Sequence, residues 1–86
     1  EATEQSDWVK IAICRSLVML GENEYFIPFI NMLHSSDYRN RIFVLNIIDD
    51  IPNHKKEILN HLMKQQREEV ISHIKQKIQE KLEVFH

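Results

Sequence analysis

The stretch VKIAICRSLVMLGENEYFIPFINMLHSSD, Val9 to Asp37, decides the fold. Val9, Ala12, Ile13, Ser16, Leu17 and Leu20 recur three and four residues apart, the spacing of one helix face. Gly21 follows at the point where a helix end asks for positive φ. Phe26, Phe29, Ile30 and Leu33 then open a second helical pattern, and Ser35-Ser36-Asp37 stops it and caps the next. The segment reads as helix, turn, helix.

Working outward, Ser6 or Asp7 is the expected N-cap of a first helix over 5–20, and the second covers 24–34. A third, over 38–51, is apolar nearly all round (Ile42, Phe43, Val44, Leu45, Ile47, Ile48, Ile51), the pattern of a central helix. Pro52-Asn53 is expected to end it, because the residue before proline is pushed out of the helical region. A fourth helix over 54–64 carries Ile58, Leu59, Leu62 and Met63. A fifth over 67–85 carries the stripe Ile71, Ile74, Ile78, Leu82 and Phe85, with Val70 beside it. One glycine and two prolines are too few for the tight turns of a small β-fold. The fold class is all-α, expected as one domain over 1–86.

The pattern repeats. Ser6-Asp7-Trp8 returns as Ser36-Asp37-Tyr38, and the helices align 31 residues apart through Val9/Asn40, Ile13/Val44, Leu17/Ile48 and Leu20/Ile51. Val70, Ile74 and Ile78 follow Asn40, Val44 and Ile48 by 30. A helical pair recurring at fixed period implies stacked units that share a core with their neighbours.

Val9 to Asp37 resembles a short HEAT repeat of the bilin-lyase type, whose units run valine-basic, small apolar, leucine, glycine-acidic, then an apolar-proline helix. Lys10, Ala12, Ile13, Leu17, Gly21, Glu22, Pro28, Ile30, Leu33 and Asp37 fall in place without a gap. The second unit matches in its first helix and departs in its second, where Asn60 and His61 replace apolar residues. The period is short of the general HEAT range of about 40–47. The resemblance implies an α-α superhelix of about five antiparallel helices, two and a half repeats, with second helices lining the concave side. It makes Asn23, Glu24, Asn31, Lys56, Asn60 and Lys64 candidate protein-binding residues. The implied function is a protein-interaction or scaffold module without catalysis. The alternatives are an accessory domain of a bilin-lyase-like or DNA-glycosylase-like enzyme, or a structural spacer.

Charge and composition narrow the partners. A formal charge of −2 argues against a general nucleic-acid surface, and the lysines of the second half are interleaved with glutamates. No stretch reaches the ~20 apolar residues of a membrane span. Cys14 is the only cysteine, which excludes an intrachain disulfide and fits a reducing, cytoplasmic setting. Opening at Glu1, the chain is expected to be the C-terminal portion of a longer protein.

No catalytic or metal-binding pattern stands out, and no cofactor is expected. None of the five histidines (34, 54, 61, 73, 86) precedes a carboxylate, and His54 and His61 lack a nearby third ligand. Cys14 has no histidine at helical spacing to act as its base. Asp49-Asp50 and Glu68-Glu69 are adjacent pairs pointing about 100° apart on a helix, which suits a solvated surface rather than acid–base work. Trp8 is expected to cover one end of the stack or anchor a partner. The first helix carries a second apolar stripe, Ile11, Cys14 and Val18, with Met19 adjacent, where family positions matching Ile11 and Met19 are usually polar. Together with Trp8, that stripe is expected to form an open edge, covered by upstream repeats or by a second copy in a homodimer. Elemental analysis of the purified chain should find no stoichiometric transition metal; about one ion per chain, bound through His54 or His61, would defeat this reading.

Overall fold

The computed structural model describes residues 3–85, so His86 lies outside the described residues. Among the described residues the chain is helical without strands: α1 (Thr3–Met19), α2 (Phe26–Asn31), α3 (Tyr38–Ile47), α4 (Lys55–Glu68) and α5 (Ser72–Phe85). Where one continuous domain was expected, contacts divide the chain into two compact units, Glu1–Ile51 and Pro52–His86. Pro52 and Asn53, whose φ is +68°, lie just past the division. Asparagine is among the few residues that tolerate that left-handed backbone.

In the first unit, α1 begins at Thr3, so Ser6 and Asp7 sit inside its first turns rather than capping it. Its other end matches expectation. The Gly21 N–H donates to Val18 O at 3.0 Å and the Glu22 N–H to Leu17 O at 2.9 Å, with Gly21 at φ +100°. That is a Schellman closure, which satisfies two carbonyls the helix would leave open.

The expected helix over 24–34 is broken into three pieces. A 3₁₀ turn at Asn23–Tyr25 precedes α2, and another, Met32–His34, follows it. Pro28 has no N–H to give the carbonyl four residues back, so the chain before it closes with the tighter i→i+3 bonds. Asp37 then caps α3: its Oδ1 accepts from the Arg39 N–H at 3.0 Å. α3 stops at Ile47, short of the expected 51, where Arg15 Nε donates to the Ile47 carbonyl at 2.7 Å.

α1 turns its apolar faces the opposite way from the sequence reading. Ile11 and Val18 are 1% and 2% exposed, while Val9 and Ile13 stand 56% and 53% exposed and Leu20 79%. The expected edge contacts Ile11 and Val18 are thus core residues, joined by Phe26, Phe29, Ile30, Leu33, Val44, Leu45 and Ile48. The reason lies in the flanks of the two stripes. Asp7 and Arg15 border the Ile11/Val18 face, and this rotation brings them to Asn40 and to the end of α3. The opposite rotation would strand both beside solvent and leave their partners unsatisfied.

The second unit pairs α4 with α5 around Ile58, Leu62, Ile74, Ile78 and Phe85. α4 runs longer than expected and α5 starts later, at Ser72. Glu69 makes the link: buried at 5% exposure, it accepts from Gln65 Nε2 at 3.0 Å and from the Ile71 N–H at 3.2 Å. It is a structural carboxylate, not half of a solvated acidic pair. Val70, expected beside the α5 stripe, is 87% exposed on that link.

A Cβ at Gly21 meets no atom within 4 Å, so only the backbone conformation resists substitution there. Gly21→Ala should therefore cost about 1–2 kcal/mol. Thermal denaturation should show a Tm lowered by at least about 4 °C with the helical spectrum retained.

Candidate functional site

A polar cluster anchors the N-terminal end of α3. Asn40, 1% exposed, donates from Nδ2 to Asp7 Oδ2 at 3.3 Å and to Ser35 Oγ at 3.2 Å. Arg41, also buried, donates to the Ser35 carbonyl at 2.8 Å, and the Asp37 N–H donates to Ser35 Oγ at 3.1 Å. The recurrence of Ser-Asp at 6–7 and 35–37 pointed to this end of the fold. It did not reveal that Asp7 would serve the neighbouring helix. Asp37 also accepts from Arg39 Nε at 3.1 Å, and these bonds, the side-chain one first and the backbone N–H second, hold its carboxyl below the usual carboxylate range.

Two grooves open on the first unit. One, of about 320 Å³, runs along α1 and α2 between Ile13, Cys14, Pro28 and Met32, with Asp7 and Lys10 at its rim. The other, of about 300 Å³, lies between α1 and α3 and is lined by Trp8, Arg39, Ile42, Phe43 and Asn46. Trp8 packs on Phe43 with ring centroids 6.1 Å apart, and its buried indole Nε1 has no hydrogen-bond partner. Trp8 is therefore half-buried between helices of its own unit.

The residues singled out for protein binding are all exposed. Asn23 and Glu24 lie on the 3₁₀ turn before α2, and Asn31 ends α2. Lys56, Asn60 and Lys64 fall four apart along one face of α4. Of the edge residues, only Met19, 40% exposed, remains on the surface as expected; Val9, Ile13 and Leu20 take the place of Ile11 and Val18. Both stripes of α1 have helical spacing, so the sequence signal for the exposed one was present but assigned to the core.

Among the described residues, no group of three His, Cys, Asp or Glu side chains is placed to hold a metal ion. His54 Nδ1 lies 3.8 Å from Glu57 Oε2 without forming part of such a group. Among the same residues no helix is long and apolar enough to cross a membrane. Compared with protein-family models, curated proteins and solved structures, the chain finds no match.

The Asp37 carboxyl should titrate by NMR with a midpoint below about 3.9, the ordinary aspartate value. Because its pKa is lowered on folding, its capping contribution is fully present above about pH 4. It is lost as pH falls through the lowered midpoint. Asp37→Asn should keep the cap and remove that part of the acid sensitivity.

Proposed function

We propose that this chain is a protein-interaction module built from HEAT-like repeats, its helix pairs stacking into an α-α superhelix. No catalytic step is assigned to it. One observation carries the reading. The positions 9, 13, 17 and 20 on α1 correspond, 31 residues on, to Asn40, Val44, Ile48 and Ile51 of α3, which are 1%, 0%, 0% and 5% exposed. α3 lies against Met32–His34 and α1, and so on the hairpin before it. A helix that buries, against a preceding hairpin, the same register that its repeat partner leaves open is what a stacked array requires.

On this reading the partner meets polar side chains standing on the rigid second helices: Asn23, Glu24 and Asn31 in one unit, Lys56, Asn60 and Lys64 in the other. Polar contacts of this kind set specificity and association rate. The test is capture of a protein partner by the wild type and by the variant Asn31→Arg/Asn60→Glu/Lys64→Glu. A Lys75→Glu variant, changed on the exposed surface of α5, serves as control. The triple variant should bind at least about tenfold more weakly with an unchanged circular dichroism spectrum, and the control should bind as the wild type does. Equal capture by all three proteins would remove this surface from the function.

A further inference from the structure

The outer face of α1 carries Val9, Ile13 and Leu20, all more than half exposed, with Ala12 and Ser16 between them. No charged residue interrupts it. It continues through Ile13 and Cys14 into the groove that reaches Pro28 and Met32 on the second helix of the hairpin. The uncovered apolar surface thus spans both helices, as a stacking face does.

The other unit leaves an apolar groove of its own. Leu59, Met63 and Leu82 line about 270 Å³ of open space along α4 and α5, and Met63 is 46% exposed. The two surfaces differ in charge. Exposed Glu22 and Glu24 follow Leu20, whereas exposed Lys56 and Arg67 flank Met63, seven residues before it and four after it on the same helix. The units as wholes differ in the same sense. Residues 1–51 hold eight acidic and four basic side chains, and residues 52–86 hold seven basic and five acidic.

We propose that copies of this chain associate head to tail, the outer face of α1 in one copy seating on the Met63 groove of another. The proposal rests on the repeat reading for treating the α1 face as a stacking surface. Charge decides the occupant. Two α1 helices packed antiparallel about the centre of the stripe, between Ile13 and Ser16, would set Glu22 opposite Asp7, and a parallel pair would set each acid near itself. Either two-fold arrangement opposes like charges, while the α4–α5 unit of another copy offers apolar surface framed by cations. Such an interface is heterologous and does not close at two chains.

Sedimentation of the full chain across a dilution series tests this, using the variants Val9→Lys/Ile13→Lys and Met63→Lys. All three positions are exposed, so both variants should keep the wild-type circular dichroism spectrum; Leu20→Lys replaces the first if they do not. The wild type should grow past two chains with concentration, its association weakening as salt rises. Each variant alone should stay at the 10.3 kDa of one chain. Mixed in equal amounts, they should form a two-chain species and nothing larger, because each retains the face the other has lost. Three outcomes would overturn the proposal: a wild type that stays at one chain, a Met63→Lys variant that still dimerises, or a mixture that does not associate. None of these bears on the Asn31/Asn60/Lys64 surface, whose loss of partner binding is read on a monomer equally well.

Discussion

The hydrogen bond from Arg15 to the carbonyl oxygen of Ile47, at 2.7 Å, fixes the arrangement on which the first unit depends. A guanidinium donating to an open helix-terminal carbonyl is worth about 1.5–3 kcal/mol, more than an ordinary neutral bond. Arg15 also stands 3.5 Å from Asp50, just beyond that helix end. With Asp7 held to Asn40 on the same side of α1, the helix has a polar contact at each border of its Ile11/Val18 stripe. Rotation about its own axis would break both. Apolar burial alone would choose poorly between the two stripes of α1, since each offers side chains of similar size. The polar neighbours choose.

From that choice the remaining surfaces follow. With Ile11 and Val18 inward, Cys14 is placed in the groove beside Pro28 and Met32, and Trp8 against Phe43. Val9, Ile13 and Leu20 are then left to the solvent. The same register on α3 holds Asn40, Val44 and Ile48, and these are buried. Two helices of one repeating pattern thus occupy different environments because one follows a hairpin and the other does not. Exposed apolar surface of this kind marks an interaction face more often than an accident of packing.

The second unit shows the same division of labour on a smaller scale. Its apolar stripes pair α4 with α5, but the break between the helices is made by Glu69, whose two carboxylate oxygens serve Gln65 on one side and the Ile71 N–H on the other. A buried carboxylate accepting from both sides costs less to desolvate than an isolated one. It ends one helix and leads into the next where neither glycine nor proline is available.

Local rules were enough to determine the helical class, the Gly21 closure, the Asp37 cap and the recurrence at 31 residues, because each depends on residues within a few positions or on a pattern repeated along the chain. Gly21 needs only its own φ; Asp37 needs only the Arg39 amide two residues on. What the tertiary structure decided involves residues distant in sequence. The face of α1 that turns inward depends on Asn40 and Ile47, 33 and 32 residues from the side chains that bind them. The early end of α3 depends on Arg15, and the burial of Asn40 and Arg41 depends on Ser35 and Asp7 meeting at one end of the helix. Helical periodicity tells which residues share a face, but two apolar faces on one helix are equivalent until a partner is in place. Only the positions of those distant polar groups told core from surface.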